Sequence, residues 1–352
     1  MLGIGVLGAG RVVQHRYVEV FRDELKNARV TMVCDKVKER ADRVGMELGA
    51  RAVYEKERLL GSGEVDAILV TTESGKHYEH AMTALEAGKH VIVEKPPALI
   101  PEQISENEHL AQEKGLMYAV VFQNRLNPAM QILKKTYGEG RFGKLVLATI
   151  RLRWCRYQDY YEDGWHGTWK MDGGVINQQA IHHIDALQWV CGPIGEVCAA
   201  QCKALNQLEA EDTTVGMVRF ENGALGAIEA TTAARPEDFE ASISVVGEKG
   251  LAVIGGIALN KIDMWRFVEE QPGDKEVPEA YSQEVPTGYG LSHGPMLQEI
   301  VDRLNGGRVD PPITGGDAVP TVRLVHALYR STEIGGWVRM ADKPLLERLG
   351  KD

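Results

Sequence analysis

Lys95 has the setting of a residue that does chemistry. One residue, Glu94, separates it from the apolar stretch His90–Val93, and Pro96 and Pro97 come next, so the pattern predicts a buried strand that stops at the lysine. In an open α/β sheet, ligands bind outside the carboxyl ends of the strands, and an amine held there can exchange a proton with them. Because most lysines at strand ends are simply solvated, the assignment depends on what the rest of the chain places around this one.

His182 is the second candidate for proton transfer. The segment Asn177–Val190 has apolar residues at helical spacing, and a helix there would put His182 on one face with Gln178, Asp185 and Trp189. Asp185 could then orient the imidazole, as a proton-transfer histidine requires. The alternative is a histidine that only packs in the core. No metal site is expected, because adjacent histidines on a helix diverge.

A glycine-rich turn stands near the start of the chain. A short apolar stretch leads into Gly8 and Gly10, and Arg11 and Val12 open the helix that is predicted to follow. Gly8 permits the tight bend, and Gly10 lets the backbone approach a pyrophosphate at the helix N-terminus. Val13 occupies the third position of the usual glycine pattern, which moves the helix slightly away from the strand. We expect this turn to bind a dinucleotide.

Asp35 ends the next predicted strand, Ala28–Cys34. A carboxylate at this point can accept hydrogen bonds from the adenosine ribose hydroxyls and would repel a 2′-phosphate, which favours NAD over NADP. Lys36 beside it leaves NADP open. Asp35 also has the position of an N-cap for a helix over Lys36–Leu48, a role compatible with cofactor binding.

Strands continue to alternate with helices up to about residue 122, which predicts a parallel, doubly wound sheet. Two strand ends in it carry polar residues where a nicotinamide ring would lie: Thr72, with His77 shortly after it, and Glu94 beside Lys95. We expect all of these to contact the cofactor. For Thr72 and His77, loop polarity and helix capping stand as an alternative.

These features resemble the Gfo/Idh/MocA family of NAD(P)-dependent oxidoreductases. The resemblance is carried by three stretches, Gly5–Gly10, Ala84–Val91 and Glu94–Pro96. It implies an N-terminal Rossmann domain, residues 1–123, and a C-terminal α/β domain, residues 124–352, with a large open, mostly antiparallel sheet. It also implies that Lys95 lies beside nicotinamide and substrate. Family members usually carry Thr-Pro in the first loop, whereas here Thr72 precedes Glu73, which we expect to change loop shape more than cofactor binding.

The second half of the chain resembles the family as well. Gly173, Gly174, His182 and Asp185 match its pattern, while Gln178 stands where an aspartate is usual. The site would thus lack a carboxylate found in relatives that act on simple polyols and sugars. One branch of the family oxidises the 3-hydroxyl of UDP-N-acetylhexosamines or their uronic acids. A similar set of residues occurs here, which implies a substrate site at Trp165, Gly167, Thr168, Trp169, Asn177, Gln178 and His182.

Basic side chains are concentrated on one predicted strand. Lys144–Trp154 alternates, which places Arg151 and Arg153 on one face, with Arg156 just beyond. A solvated sheet face is the ordinary interpretation of such a pattern. Because an acidic protein that binds a diphosphate needs locally concentrated cations, we expect Arg153 and Arg156 to contact an anionic substrate.

The composition bears on partners and compartment. The formal net charge is −10 and the sequence contains no basic run, which argues against nucleic acid as a partner. No apolar run approaches the ~20 residues of a membrane span, and no basic leader precedes the first strand. The five cysteines form no paired motif, so we expect reduced thiols and a cytoplasmic location.

Together these features predict an NAD-dependent dehydrogenase that moves a hydride from a sugar hydroxyl to nicotinamide while Lys95 or His182 takes the hydroxyl proton. The order of these two residues stays open. The expected hydroxyl is that on C3 of a UDP-N-acetylhexosamine or its uronate, in a homodimer or homotetramer formed through the C-terminal sheet. Two alternatives remain: a dehydrogenase of a free sugar, inositol or other small polyol, and a non-catalytic regulator that binds the dinucleotide.

Overall fold

The computed structural model describes residues 1–351, which form two compact units. The first comprises residues 1–123 and 291–320, and the second comprises residues 124–290 together with the chain from 321 onward. The division expected from the sequence differs, since it placed 291–320 in the second domain. Long-range hydrogen bonds explain the difference: Arg16 donates from Nη2 to the carbonyl of Leu291 (2.9 Å), and the N–H of Val120 donates to the carbonyl of Ile313 (3.1 Å).

The first unit is built on six parallel strands whose order is β3-β2-β1-β4-β5-β6. The strands are β1 (Leu2–Leu7), β2 (Ala28–Cys34), β3 (Arg51–Val53), β4 (Ala67–Val70), β5 (His90–Val93) and β6 (Tyr118–Val120). All four residues of β4 are buried, as a sheet covered on both faces requires. This confirms the predicted doubly wound sheet and places the ends of β1, β4 and β5 side by side.

Helices connect these strands. Those of the first unit are Lys38–Leu48, Lys56–Leu60, His77–Glu86, Pro101–Lys114 and His293–Asn305, with a short turn at Ser74–Lys76. After the glycine turn the chain is helical with wide turns over Val13–Tyr17 and Val20–Glu24, where backbone N–H groups bond to carbonyls five residues back. Val13 is fully buried, so it packs inward as a helix residue beside the sheet should.

The second unit is built on an eight-stranded sheet of order β13-β12-β11-β7-β10-β9-β8-β14. Its strands are β7 (Leu145–Arg153), β8 (Ile194–Cys202), β9 (Thr213–Phe220), β10 (Leu225–Thr231), β11 (Glu240–Gly247), β12 (Gly250–Gly255), β13 (Lys261–Phe267) and β14 (Val338–Arg339). Only β7 and β10 run parallel, which confirms the mostly antiparallel sheet. The pair Asn222-Gly223, which is typical of tight hairpin turns, joins β9 to β10.

The helices of the second unit include the one that carries His182. They are Pro128–Gly138, Val175–Gln178, Ile181–Cys191 and Val277–Tyr281, with short turns at Gln158–Tyr161 and Met340–Asp342. Two further segments, Gln123–Leu126 and Gly315–Ile334, continue through the sequence boundaries of the units. Within residues 1–351, no helix combines the length and apolar character needed to cross a membrane.

The single helix predicted over Asn177–Val190 is wrong, because the chain is helical in two pieces. The first piece ends at Gln178 and the second begins at Ile181. Between them the N–H of Ala180 bonds to the carbonyl of Val175 (2.8 Å), a wide closing turn that ends the first helix. Gln178 therefore does not share a helical face with His182.

Candidate active site

The glycine turn of the first unit is shaped by close packing on one side and open space on the other. Gly8 has φ of +99°, and a Cβ there would lie 2.7 Å from the carbonyl oxygen of Thr71, so a side chain is excluded. At Gly10, no heavy atom among residues 1–351 other than its own chain neighbours lies within 4 Å of an added Cβ. The backbone at Gly10 is thus accessible to a ligand, as a dinucleotide pyrophosphate requires.

Asp35 reaches this turn from the end of β2. Its Oδ2 accepts the N–H of Ala9 (2.7 Å), and its Oδ1 accepts the N–H of Val37 (2.8 Å). The helix begins only at Lys38, so Asp35 supports the preceding loop rather than serving as the N-cap residue itself. Arg11 is exposed and Val12 is half-buried where the wide-turn helix begins. Carboxylate, glycine turn and helix start lie together, and this arrangement fits NAD.

His77, expected to contact the cofactor, is turned toward the backbone. It is 2% exposed, with Nε2 2.9 Å from the carbonyl oxygen of Thr72 and Nδ1 2.7 Å from that of Pro96. Burial lowers the pKa of His77, and a neutral imidazole donates through only one nitrogen, so His77 bonds to one of these two carbonyls. Contact of His77 with the cofactor remains a prediction. Thr72 is half-buried, and its hydroxyl lies 2.9 Å from Nδ1 of His80.

Lys95 lies at the end of β5, where the sequence predicts it, and is half-buried. The Lys95–Pro96 peptide bond is cis. The preceding Glu94, which we expected to contact cofactor, is 5% exposed and is bound within the protein. Its Oε1 accepts the hydroxyl of Tyr17 (2.7 Å), and its Oε2 accepts the N–H of Lys95 (3.0 Å). Glu94 is thus bonded within the protein on both oxygens, and its contact with the cofactor remains a prediction.

In the second unit, His182 lies in the first turn of Ile181–Cys191 and is 8% exposed. Asp185 of the same helix forms a buried, two-pronged pair with Arg125, whose Nε and Nη2 lie 2.8 and 2.6 Å from its oxygens. The hydroxyl of Thr321 also donates to Asp185 (3.1 Å). These bonds fix the helix that carries His182; orientation of the imidazole by Asp185 remains a prediction.

A buried carboxylate, Asp172, organises the loop before His182. Its Oδ1 accepts Nε2 of Gln178 (2.7 Å), and its Oδ2 accepts the N–H of Gly167 (3.0 Å). Asn177 donates from Nδ2 to the backbone carbonyl of Asp172 (2.5 Å). The loop therefore contains a carboxylate after all, bound to the glutamine that stands where an aspartate was expected.

A second buried acid, Glu211, packs beneath this loop. Its Oε1 accepts the N–H of Ile176 and the hydroxyl of Tyr329, each at 3.2 Å. Gly174 leaves just enough room, because a Cβ there would lie 2.2 Å from Oε2 of Glu211. Burial, assisted by the charge of Asp172, raises the pKa of Glu211 to about 8. Glu211 is therefore protonated at neutral pH.

Aromatic side chains border the same loop. His166 stacks on Trp165, and the centroids of the two rings are 3.6 Å apart. The ring of Tyr160 also packs against His166, with 4.2 Å between the ring centroids. Nδ1 of His166 is 2.6 Å from Oδ2 of Asp163. The guanidinium of Arg156 lies 5.6 Å from the centre of the Tyr160 ring and donates to Asp238 (2.9 Å). Arg156 thus borders this cluster.

The guanidinium group of Arg153 is paired with carboxylates of the protein, whereas the predicted substrate contact required a free cation. Its Nε donates to Oε1 of Glu229 (2.6 Å), and its Nη1 donates to Oε2 of Glu240 (3.1 Å). Arg151 lies within 4 Å of the same two carboxylates. These are cross-strand charge pairs on the sheet face, so the ordinary interpretation of the alternating pattern holds for Arg153.

Several residues that take part in these hydrogen bonds and ring contacts were not predicted from the sequence. They are Tyr17, Asp172, Glu211, His293 and Tyr329. Asp172 had a usable signal, because it immediately precedes the Gly173-Gly174 pair of the family pattern. The others contact their partners across long stretches of sequence, which no local pattern indicates. Among residues 1–351, no group of three or more His, Cys, Asp or Glu side chains is arranged to hold a metal ion.

Two family models match the chain. Residues 2–122 match the model for the oxidoreductase family with an NAD-binding Rossmann fold, and residues 130–253 match the GFO/IDH/MocA C-terminal domain.

Solved structures and curated relatives agree with these matches. The WlbA dehydrogenase from Chromobacterium violaceum, solved in complex with NADH and UDP-GlcNAcA, is 31% identical, with a TM-score of 0.88 over 96% of this chain and 95% of that chain. An uncharacterized oxidoreductase of Synechocystis is 31% identical over 78% of this chain and 72% of its own length. The D-glucoside 3-dehydrogenase of Escherichia coli is 27% identical over 96% of this chain and 97% of its own length.

The two units thus carry the two domains of one enzyme family, and the turn at Gly8 and Gly10 fits the cofactor that the family binds. The chain belongs to the Gfo/Idh/MocA family and is an NAD-dependent oxidoreductase.

Proposed function

We propose that the chain oxidises the 3-hydroxyl of a UDP-N-acetylhexosamine or its uronate with NAD. The observation that carries this proposal is the full-length similarity to the WlbA dehydrogenase that was solved with NADH and UDP-GlcNAcA. The aromatic and amide side chains of the second unit support it locally. Trp165, Asn177 and Gln178 are assigned to the substrate, and Arg156 is assigned to its anionic part.

The residues of the first unit are assigned to the cofactor. Gly8, Gly10, Arg11 and Val12 are proposed to hold the pyrophosphate, and Asp35 the adenosine ribose, which favours NAD. Thr72 is proposed to contact the nicotinamide side of the site. NAD supplies the acceptor for the hydride that leaves the carbon bearing the hydroxyl.

Lys95 and His182 are proposed to act on the substrate hydroxyl. One of them takes the hydroxyl proton as hydride leaves, and the other donates a hydrogen bond to the same oxygen and holds it in place. A lysine can serve as the base only when its neutral form is accessible, which partial burial favours. Lys95 is half-buried and His182 is 8% exposed, so both side chains are shielded from much of the bulk water.

A substrate panel tests this proposal. Purified protein is incubated with NAD and, in separate reactions, UDP-GlcNAcA, UDP-GlcNAc, UDP-glucose, methyl glucoside and myo-inositol, and NADH formation is followed. We expect turnover with an N-acetylated UDP-sugar and at most slow turnover with the free sugars. Faster turnover of methyl glucoside or myo-inositol would contradict the assigned substrate class.

Oxidation of a free glucoside is a second candidate. One observation favours it, the similarity to D-glucoside 3-dehydrogenase over nearly the whole of both chains. Added UDP discriminates the two candidates, because it should compete with a UDP-sugar and leave oxidation of a glucoside unchanged.

We further propose a homodimer or homotetramer formed through the open face of the second sheet. This face carries large apolar side chains that are 40 to 56% exposed, namely Leu147, Val215, Met217 and Leu225. Light scattering should give a mass of two or four chains, and Met217→Lys should lower it; a monomer at micromolar concentration would contradict this assembly. The five free thiols are consistent with the cytoplasmic location that belongs to the same proposal.

A further inference from the structure

Residues 346–350 of the second unit fold back onto the loop formed by residues 165–174. The side chains of Leu346 and Leu349 are 2% and 0% exposed, and the N–H of Leu346 donates to Nδ1 of His326 (2.9 Å) inside the protein. Buried apolar side chains and a buried hydrogen bond anchor this segment. We call residues 346–350 the clasp.

The clasp meets the loop at Trp169. The guanidinium of Arg348 lies over the Trp169 ring, 3.9 Å from its centre, and the N–H of Gly350 donates to the backbone carbonyl of Trp169 (2.9 Å). The rings of Trp169 and Tyr329 pack edge to face, with centroids 5.0 Å apart. A guanidinium at this distance is attracted by the negative face of an indole ring. Trp169 is therefore held by side chains and backbone of the protein itself.

The clasp also packs against the glycine pair at the end of the loop. Gly173 has φ of +79°, and a Cβ there would lie 3.2 Å from Cδ1 of Leu349 and 2.9 Å from the hydroxyl of Tyr329. The N–H of Gly174 donates to the same hydroxyl (2.8 Å). The conformation and the close approach both require glycine at position 173, so the loop is held from residue 169 to residue 174.

The part of the loop that the clasp holds also positions an amide side chain that is assigned to the substrate. The N–H groups of Asp172 and Gly173 donate to the carbonyl of Thr168 (3.0 and 2.8 Å). These bonds close a turn that contains Trp169. The carboxylate of Asp172 then accepts Nε2 of Gln178 (2.7 Å). A continuous series of contacts thus leads from the clasp through the turn to Gln178.

We propose that Arg348 is a positioning residue for the substrate, because it holds Trp169 and so keeps the turn in the form that places Gln178. The inference rests on the proposed function, which assigns Gln178 to the substrate. Arg348 acts through the loop and does not touch the substrate. A loop that must become ordered during binding lowers affinity, so loss of the Arg348 contact raises KM and leaves kcat nearly unchanged.

The first test needs no substrate. Hydrogen exchange of the protein with NAD bound, followed by mass spectrometry of peptides that cover residues 170–174, reports the amides of Asp172 and Gly173 that close the turn. We expect Arg348→Ala to speed their exchange by about two- to fivefold, the effect of losing an exposed cation–π contact. Arg348→Lys keeps a cation near the ring, so its exchange should lie between the two. Unchanged exchange in Arg348→Ala would overturn the inference.

Arg330→Ala is the matched control. Arg330 and Arg348 both pair with Glu333, at 2.8 and 3.6 Å, and both side chains are about half exposed, but Arg348 is the one that lies over the Trp169 ring. Arg330→Ala thus removes a positive charge and a pair with Glu333 while the stacked cation remains. Loop exchange and KM should stay as in the unmodified protein. Equal effects of the two substitutions would overturn the inference, since they would assign the change to the lost charge alone.

Kinetics separate positioning of the substrate from a purely structural role. We expect Arg348→Ala to raise KM for the UDP-sugar by about two- to fivefold, with kcat within about twofold of its original value. Trp169→Leu removes the ring that Arg348 contacts, so adding Arg348→Ala to it should raise KM no further. Faster loop exchange with an unchanged KM would overturn the inference, as would losses that multiply in the double variant.

Failure of the proposed function gives a different result. It appears in the substrate panel as no turnover of UDP-sugars in the unmodified protein, whereas the exchange experiment compares variants without any substrate.

Discussion

Two buried glutamates, one in each unit, have opposite environments. Glu94 accepts a hydrogen bond on each oxygen and lies next to a lysine in sequence. Glu211 accepts only on Oε1, and its buried Oε2 has no hydrogen-bond partner among residues 1–351. Burial raises the pKa of both side chains, but the charge of Lys95 and the two hydrogen bonds counteract part of this rise for Glu94, whereas the pKa of Glu211 reaches about 8. The difference shows that a buried acid with a bond on each oxygen and one with a bare oxygen are stabilised by different partners, and that the second unit uses its acid as a neutral packing and hydrogen-bonding group.

Removal of the Lys95 side chain should give the largest effect on turnover. We expect Lys95→Ala to lower turnover by about 10²- to 10⁴-fold, the usual contribution of a group that transfers a proton. NAD affinity should change little, because the glycine turn and Asp35 remain. Steady-state kinetics and NAD titration measure the two quantities, with Lys114→Ala as the control. Equal losses of turnover and NAD affinity would count against the role of Lys95.

The protonated state of Glu211 predicts a pH dependence of stability. Its folded pKa of about 8 lies above the reference value of 4.5, so its contribution to stability is fully present below pH 4.5 and is lost as pH rises through 8. Glu211→Gln should remove this loss, making the unfolding free energy less steep by about 1.4 kcal/mol per pH unit in that window. Denaturant titrations measure it, with the exposed Glu221→Gln as control. Parallel pH profiles for Glu211→Gln and the unmodified protein would show that the pKa of Glu211 is not raised by folding.

The polar network of the second unit should act on binding. Gln178→Ala removes the partner of Asp172 and a proposed substrate contact, so we expect KM for the UDP-sugar to rise by about tenfold with a smaller change in kcat. The exposed Gln207→Ala is the control. A fall in kcat with unchanged KM would instead mean that Gln178 contacts the transition state. The second unit would then contribute to the chemical step, as Lys95 of the first unit is proposed to do.

The smallest effect is expected at Arg153. Its charge is engaged by Glu229 and Glu240 on the sheet face, and exposed pairs of this kind contribute about 0.2–1 kcal/mol. Arg153→Ala should therefore change KM by less than about threefold. A rise in KM of an order of magnitude or more would restore the prediction that this arginine binds the anionic substrate.

The first unit could be predicted from sequence because its chemistry lies at strand ends. Alternating strands and helices predict the sheet, and the bounds of β2 and β5 agree with the predicted ones. Gly8 and Asp35 follow a strand directly and Lys95 follows one after a single residue, so local pattern alone places them at one sheet edge. The return of residues 291–320 to this unit depends on distant hydrogen bonds and was not predictable in this way.

The second unit was less predictable because its polar groups pair across the fold. Glu211 binds Tyr329, which is 118 residues away in sequence, and Arg153 meets its partners on two neighbouring strands. Periodicity correctly predicted a helix around His182 but not its interruption after Gln178, where the N–H of Ala180 bonds to the carbonyl of Val175. The alternating charges of β7 led to the prediction that Arg153 binds an anionic substrate, and the same pattern does not show the carboxylates that Arg153 meets on β10 and β11.

The central claim is that Lys95 and His182 act on the same substrate hydroxyl. A double-mutant cycle on kcat/KM for the oxidised UDP-sugar tests it most directly, using Lys95→Ala, His182→Gln and the double variant. Groups that act as a unit give strongly non-additive losses, so we expect the double variant to fall within about tenfold of the more damaged single variant. Losses that multiply would mean that the two residues act independently, and would contradict the account.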